Sequence, residues 1–120
     1  MTEANRLGRR GERIAGRWLM RRGWRVLDRN LRVGQDEIDI VAQSPDSSVV
    51  AFIEVKTSTG ISDALLMNRV DGGKRDRLRR SARRLASHYP NQFIRIDLIT
   101  VTLRRWHQTN VSHWPDVIRS

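Results

Sequence analysis

Two short charged segments contain the residues of this chain whose types and spacing could do chemistry. Glu37-Ile38-Asp39 and Glu54-Val55-Lys56 each place charged side chains two positions apart within an otherwise apolar stretch. Because side chains on a strand alternate between faces, Glu54 and Lys56 point to the same face, roughly 7 Å apart along the chain. Burying a carboxylate and an ammonium is costly unless both have partners. A Glu-x-Lys pair on its own is also compatible with an ordinary surface ion pair.

Asp39 strengthens the chemical interpretation of that pair. If its strand pairs with the strand that contains Glu54, the two carboxylates come side by side and repel each other. A divalent cation removes that repulsion, and Mg²⁺ or Mn²⁺ suits oxygen ligands of this kind. Lys56 could then lower the pKa of an attacking water or stabilise charge in a phosphoryl-transfer transition state. The three residues therefore predict a metal-dependent site acting on a phosphodiester.

Glu12 is a further candidate, on the predicted first helix. It lies at the border of the apolar stripe beside the small residues Gly8 and Gly16, which leave room for another group to approach. It could complete the carboxylate set as a catalytic or metal-binding acid. The alternative is a solvent-exposed carboxylate that pairs with Arg9 or Arg13 at helical spacing.

Glu37 also has two open interpretations. Strict strand alternation puts it on the face of Asp39 and away from Ile38 and Ile40. It is then either an accessory ligand or a structural residue.

The elements that must position these residues follow from the apolar spacing. Residues 4–22 and about 69–88 have helical periodicity, with Gly23 as a C-terminal cap of the first and Pro90 ending the second. Alternating or β-branched patterns predict four strands and a weaker edge strand, at 24–27, 37–42, 49–56, 93–103 and 111–118. Turns or loops are expected at 31–36, 45–48 and 57–62. The predicted order is α-β-β-β-α-β with a last edge strand.

Length and composition set the class of protein. The chain has 120 residues, 38% of them hydrophobic and none of them cysteine. We therefore expect one α/β domain over residues 1–120 and exclude disulfide scaffolds, thiolate metal sites and cysteine nucleophiles. With no apolar run long enough for a membrane span, no signal-peptide core and no phosphate-binding glycine motif, the expectation is a soluble cytoplasmic protein that is not a nucleotide hydrolase.

The net charge of +10 is unevenly distributed. Residues 1–29 contain nine arginines and three acids, residues 69–84 contain eight basic residues and two acids, and residues 30–68 contain two basic residues and six acids. A basic frame around an acidic centre suits a protein that holds phosphates with arginines and cations with carboxylates. The alternative is that the acids are ordinary solvated side chains.

Several basic side chains are candidates for gripping nucleic acid: Arg9, Arg13, Lys74, Arg75 and Arg79. Lys74, at the N-terminal end of the second helix, either holds a phosphate there or extends past the edge of the core.

Asp97 and the tryptophans are interpreted as mainly structural. Asp97, on a buried strand, is expected to fix a lysine or an arginine. Trp18 is assigned to the core. Trp24, Trp106 and Trp114 could stack on unpaired bases, but core or edge packing is favoured.

As a set, the motifs resemble those of the YraN-like bacterial family. They occur along nearly the whole chain in the family's order: Gly8-Arg9-Arg10-Gly11-Glu12, Arg29-Asn30, Glu37-Ile38-Asp39, Phe52-Ile53-Glu54-Val55-Lys56-Thr57, Lys74 and Arg95-Ile96-Asp97. This family looks like a branch of the PD-(D/E)XK nuclease superfamily, similar in core to archaeal Holliday-junction resolvases.

The resemblance implies a fold and a role for each site residue. The fold is an αβββαβ restriction-endonuclease-like core with a mixed central sheet flanked by helices. Asp39 and Glu54 would be metal ligands, Lys56 the catalytic lysine and Glu12 the acid of the first helix. This chain departs from the family pattern in having Asp36 where glycine is usual and Ser58 where arginine is frequent, which bears on substrate geometry rather than on the metal site.

We therefore expect a metal-dependent DNA endonuclease that resembles resolvases and favours branched or flapped DNA. The alternatives are a nucleic-acid-binding protein on the same fold that does not cut, and a ribonuclease or RNA binder. The resemblance to two-fold symmetric resolvases also allows a homodimer. A membrane partner is not expected.

Overall fold

The computed structural model describes residues 2–60, 72–104 and 108–117. Helix α1 spans Glu3–Arg21, and helix α2 spans Gly72–Leu85 and continues as a 3-10 turn over Ala86–His88. The strands are β1 Arg25–Val33, β2 Asp36–Gln43, β3 Val49–Thr59, β4 Phe93–Leu103 and β5 Thr109–Trp114. This order confirms the α-β-β-β-α-β prediction and the additional last strand.

The strands form one mixed sheet with the spatial order β1-β2-β3-β4-β5. Strands β3 and β4 are parallel, and the other neighbouring pairs are antiparallel. A parallel pair needs a crossover, and α2 lies in the segment of chain that connects β3 to β4.

Two predicted loops were partly wrong. Strand β1 continues to Val33, which pairs with Asp36, so the turn between β1 and β2 is only Gly34-Gln35. Strand β3 continues to Thr59, which pairs with Leu103 of β4. In both places polar residues and a nearby glycine predicted a loop, but cross-strand partners extend the strand.

The ends of α1 show how local sequence sets an element. The Thr2 side chain accepts a hydrogen bond from the Asn5 amide at 3.1 Å and caps the first turn. At the other end, Gly23 adopts a φ of 85°, and the amides of Gly23 and Trp24 bond to Met20 and Leu19. This left-handed closure is the C-terminal cap that Gly23 predicted.

Among the described residues, each face of the sheet is covered by one helix. Ala15 and Leu19 of α1 pack with buried residues that include Ile53 and Ile99, whereas Leu78 and Ala82 of α2 pack with a second cluster that includes Phe52. The two cores lie on opposite sides of β3, whose side chains alternate between them. Within the described part of the chain, no helix is both long and apolar enough to cross a membrane.

Glycines in α1 allow this helix to lie unusually close to the sheet. A Cβ on Gly11 would collide with the Thr57 side chain, and one on Gly16 would lie 2.6 Å from Arg29 Nη1. Neither position has room for a side chain unless its neighbour moves. These contacts fix α1 over β3 and over Arg29 of β1.

Asp97 is the centre of a buried polar network on the α1 side. Its carboxylate accepts hydrogen bonds from Arg95 Nε and Nη2 at 2.8 and 2.9 Å, from His113 Nε2 at 2.7 Å and from the Asp116 amide at 2.9 Å. The prediction that Asp97 fixes an arginine is confirmed. Burial by itself would raise the pKa of Asp97, but these donors outweigh burial and hold the pKa below its ordinary value.

Trp18, Trp24 and Trp114 each contact neighbouring side chains. Trp18 and Trp24 each meet the His113 ring edge to face, with centroids 5.8 and 5.7 Å apart. Trp114 Nε1 donates to Thr100 Oγ1 at 3.2 Å. Packing is therefore the role that the structure supports for these tryptophans, while Trp106 lies outside the described residues.

We predict that Asp97→Asn lowers the free energy of unfolding at pH 7 by about 2–3 kcal/mol, because a buried acceptor of charge-assisted hydrogen bonds is lost. The folded-state pKa is lowered, so the contribution is present above the unfolded pKa of about 4 and is lost as pH falls through the lower folded value. Urea unfolding between pH 7 and pH 3 should therefore show the two proteins converging in acid. If the difference in unfolding free energy between the two proteins stayed constant with pH, the stabilising role assigned to the Asp97 carboxylate would be contradicted.

Candidate active site

The candidate site is a gap where β2 and β3 part. The β2–β3 register runs from Gln43 opposite Val50 to Ile40 opposite Ile53. Beyond that point the Asp39 side chain, not the β2 backbone, is the hydrogen-bond partner of β3. Its Oδ2 accepts a hydrogen bond from the Val55 amide at 2.8 Å. A carboxylate thus occupies the place where a neighbouring strand would otherwise supply a carbonyl.

The side-chain alternation of β2 shifts by one residue at this gap. Ile38 packs in the core under α2, and Ile40 packs in the core under α1. The prediction that they share a face was therefore wrong, because strict alternation requires an unbroken ladder. The shift leaves Asp39 between the two faces, and it lines a cleft on each side.

Glu54 and Lys56 lie together on the α2 side of β3. Lys56 Nζ is 3.4 Å from Glu54 Oε1, which confirms that the two side chains share a face. Glu54 is only 4% exposed. Its position continues the row of Val50 and Phe52, which pack in the core under α2.

Asp39 and Glu54 form a strained acidic pair. Burial, then the nearby Glu54 charge, raises the pKa of Asp39 to about 8, and the two carboxyls also share a hydrogen bond. The hydrogen bond from the Val55 amide lowers the pKa of Asp39, but it does not offset the two effects that raise it. Two acids held this close favour either a shared proton or a cation between them.

Glu12 reaches the same place from the α1 side. Asn30, with its amide oriented to satisfy its neighbours, donates to Glu12 Oε2 at 2.9 Å and to Glu37 Oε1 at 3.0 Å and accepts from Arg9 Nη1 at 3.0 Å. Burial raises the pKa of Glu12; Arg9 and Asn30 lower it, whereas Glu37 and Glu54 raise it further. Glu12 is thus a half-buried acid within the field of the site.

Asn30 is a residue that the sequence reasoning did not assign to the site. Its φ of 50° lies in the left-handed region, which asparagine tolerates better than most residues. It connects Glu12 of α1 with the exposed Glu37 of β2. That contact explains the position of Glu37 without requiring it to bind a ligand.

Two clefts meet at Asp39. The cleft on the α2 side has a volume of about 270 Å³ and is lined by Gln35, Asp36, Glu37, Asp39, Glu54, Arg77, Leu78 and Ser81. The cleft on the α1 side has a volume of about 180 Å³ and is lined by Arg9, Glu12, Arg13, Arg29, Asn30, Asp39 and Ile40. The site is therefore an acidic centre that arginines approach from both faces of the sheet.

The predicted phosphate-binding residues divide into three groups. Arg9 and Arg13 line the α1-side cleft. Arg79 lies on the flank of α2 that is turned about 200° from Arg77, at 100° per residue, and contacts Asp76 at 3.7 Å. Arg75 is on the same flank as Arg79, four residues earlier. The side chain of Lys74 lies outside the described part of the structure.

The acidic residues of the gap fit a divalent cation only if water and substrate oxygens supply most of its ligands. Among the described residues, no three acidic or imidazole side chains are grouped as a ready-made metal cage. Mg²⁺, however, is usually held by one or two carboxylates and completes its shell with water and substrate oxygens. The pair formed by Asp39 and Glu54 is a donor set of that size.

Comparison with known proteins identifies the family. The family model described as "Uncharacterised protein family UPF0102" matches residues 11–101, which is most of the chain. This chain belongs to the UPF0102 family. The matched range contains Glu12, Asp39, Glu54 and Lys56, and the finding confirms the YraN-like resemblance.

Similar UPF0102 proteins occur in several bacteria. One from Caulobacter vibrioides is 43% identical, over 83% of this chain and 79% of its own length. One from a Parafrankia species is 42% identical, over 94% of this chain and 96% of its own. One from Clavibacter michiganensis is 35% identical, over 100% of this chain and 98% of its own.

Among solved structures, the chain is similar to Pyrococcus furiosus SfsA in complex with Ca²⁺. The alignment has a TM-score of 0.45 and 11% sequence identity. It covers 98% of this chain and 65% of that one, slightly less than two thirds of its length.

We predict that Asp39→Asn stabilises the metal-free protein by about 1–2 kcal/mol at pH 8. The amide keeps an oxygen for the Val55 amide and removes the charge that burial and Glu54 oppose. Thermal or urea unfolding in chelator measures the change. Asp76→Asn, at a carboxylate on the exposed surface of α2, is the control and should leave stability within about 0.5 kcal/mol of wild type. A destabilised Asp39→Asn protein would contradict the strained-pair interpretation.

Proposed function

We propose that this protein is a metal-dependent endonuclease that hydrolyses phosphodiester bonds in branched or flapped DNA. The observation that carries the proposal is the gap between β2 and β3, where the carboxyls of Asp39 and Glu54 share a hydrogen bond and Lys56 Nζ lies 3.4 Å from Glu54. A protein that only bound nucleic acid would gain nothing from keeping buried acids at the centre of a basic surface, since they repel phosphate.

In this proposal Asp39 and Glu54 hold Mg²⁺ or Mn²⁺, and Glu12 is the third acid of the site. When bound, the cation neutralises charge on the phosphate under attack and on the oxygens that react. The support for Glu12 is its half-buried position within the field of Glu54 and its hydrogen bond to Asn30. Asn30 is thus a positioning residue that directs Glu12 toward the gap.

Lys56 is the proposed catalytic lysine. Its ammonium is partly exposed, with 27% of the side chain accessible, and Glu54 holds it beside the acidic pair. From there the Nζ group can orient a water for in-line attack and stabilise the negative charge that develops on the phosphoryl oxygens. The ion pair with Glu54 directs the Lys56 ammonium at the gap rather than at solvent.

The arginines that line the two clefts are the proposed contacts to the nucleic acid. Arg9, Arg13 and Arg29 line the α1-side cleft, and Arg77 lines the α2-side cleft. Such contacts hold the sugar-phosphate backbone without reading sequence. A substrate with a branch or flap supplies phosphates in more than one direction, which suits a site that is approached from both faces of a sheet.

We predict that the purified protein nicks branched or flapped DNA when Mg²⁺ or Mn²⁺ is present. Lys56→Ala and Asp39→Ala should each reduce cleavage at least 100-fold, about the contribution expected of an electrostatic or acid–base group, while leaving DNA affinity within about threefold, an energy below 1 kcal/mol. The measurement is a cleavage panel of labelled single-stranded, duplex, flap and four-way DNA, together with RNA.

Asp76→Asn controls for the loss of one negative charge, and Lys56→Ala controls for contamination. Asp76→Asn, at an exposed acid that lines neither cleft of the gap, should cut at the wild-type rate. Equal cleavage by wild type and Lys56→Ala would indicate a contaminating nuclease. Tight binding with no cleavage of any substrate in either metal would replace this proposal with a non-cutting nucleic-acid-binding protein, and cleavage of RNA alone would replace it with a ribonuclease.

We predict that Mn²⁺ binds to wild-type protein and that Asp39→Asn weakens this binding at least tenfold, because one of two carboxylate ligands is lost. Titration calorimetry without DNA measures the affinity directly. Asp46→Asn, at an exposed acid in the β2–β3 hairpin, should bind Mn²⁺ as wild type does. Equal affinity of the Asp39 and Asp46 variants would exclude the metal site.

A further inference from the structure

One flank of α2 presents a row of arginines next to the acidic gap. We call Arg77, Arg80 and Arg84 the α2 arginine flank; the three line one cleft of about 480 Å³ together with Gly34, Gln35 and Asp36. Arg77 also lines the cleft that contains Asp39 and Glu54. The flank therefore forms a continuous basic path that leads into the proposed active site.

The β1–β2 turn is docked directly on this flank. Gly34 has a φ of 64°, and a Cβ built on it would lie 2.7 Å from Arg84 Nη1. Glycine is thus favoured by the left-handed backbone conformation, and the flexible Arg84 guanidinium lies close against the turn. The turn and the flank face each other as the two walls of the path.

Asp36 places the chain's own carboxylate in that path. Its Oδ2 accepts from Arg80 Nη2 at 3.1 Å and lies 3.4 Å from Ser81 Oγ. The Asp36 side chain is 14% exposed, whereas that of Arg80 is 55% exposed. Arg80 is therefore anchored on one side by an internal anion and remains open to solvent on the other.

We propose that the α2 arginine flank binds the phosphodiester backbone of the nucleic-acid strand that enters the gap, and that Asp36 competes with a phosphate for Arg80. The inference rests on the proposed function, which it deepens by assigning the strand-holding residues and the residue that limits their grip. Asp36 is a specificity-determining residue here, since it weakens binding to any polyanion that cannot displace it.

The spacing of the flank fits a polynucleotide backbone. Arg77 and Arg84 are seven residues apart on α2, which is about 10 Å along the helix axis. One strand of a duplex presents about three phosphates over that axial length, at roughly 3.4 Å each. An open path lined by three guanidinium groups suits an extended polyanion better than a single small anion, which a closed pocket would hold.

The test measures binding of fluorescently labelled flap DNA in chelator at several salt concentrations, so that cleavage plays no part. Asp36→Asn should tighten binding about three- to fivefold, the effect of releasing one exposed ion pair. Asp76→Asn is the matched control: it makes the same charge change on α2, but its partner is Arg79 on the opposite flank. It should change affinity less than twofold.

Arginine variants make the test specific to the flank. Arg80→Gln should weaken binding and lower the slope of log affinity against log salt by about 1. Arg83→Gln, at an exposed α2 arginine that does not line this cleft, should leave the slope unchanged. In the Arg80→Gln background, Asp36→Asn should give no further gain. The arginine pair also decides the question if Asp36→Asn fails to fold, which a thermal melt detects.

Four results would overturn the inference: equal effects of the two aspartate variants, equal effects of the two arginine variants, a gain from Asp36→Asn that survives without Arg80, or displacement of the DNA by polyglutamate at equal charge. The last result would assign the flank to an acidic protein partner. Failure here is distinguishable from failure of the proposed function. A protein whose flank holds DNA in chelator but that never cuts loses only the endonuclease proposal, and one that cuts without using the flank loses only this inference.

Discussion

The hydrogen bond from the Val55 amide to Asp39 Oδ2 fixes the point at which β2 leaves β3. Without a partner at this point, the Val55 amide would be a buried donor with nothing to bond, and the parting of the strands would be costly. With the bond in place, β2 and β3 stay paired from Gln43 to Ile40 and separate beyond Ile40. Both clefts, the face shift of β2 and the approach of Glu12 toward Glu54 follow from that opening.

The opening lowers stability locally, and the cores on both sides tolerate it. Asp39 and Glu54 are two acids with little access to solvent, a combination that burial and like charge both oppose. Such local conflicts are typical of functional sites and depend on well-packed surroundings. Here those surroundings are the two hydrophobic clusters that clamp β3 between α1 and α2. The Asp97 network adds a second polar anchor at the β4–β5 side of the sheet.

The sequence predicts those parts of the fold that depend on local periodicity. The β4 bounds of Phe93–Leu103, the two helices and the shared face of Glu54 and Lys56 all follow from period and composition. Strand ends do not, because the extension of β3 to Thr59 depends on its β4 partners, which are far away in sequence. For a related reason, the sequence does not predict that Ile38 and Ile40 lie on opposite faces of the sheet. An alternating pattern of apolar residues does not indicate where the pairing between two strands ends.

The site residues that the sequence reasoning missed are those whose roles depend on tertiary direction. Arg77 and Arg79 are equally basic and two positions apart, and only the docking of α2 decides that Arg77 faces the acidic gap. A helical wheel aligned on Leu78 and Ser81 separates the two flanks, but not which of them meets β2. Asn30 carried a weak signal, because asparagine tolerates a positive φ, yet its contact with Glu12 needs α1 in place.

The site is consequently a property of the whole packed chain rather than of one strand. Glu54 approaches Asp39 from the α2 side, and Glu12 approaches from the α1 side. Glu12 keeps that position only while Gly11 lets α1 rest against Thr57, one residue from Lys56. A side chain at Gly11 would lift the helix, and with it Glu12, away from the gap without touching either Asp39 or Glu54. The requirement for glycine at position 11 is thus as much a condition for the acidic centre as the acids themselves.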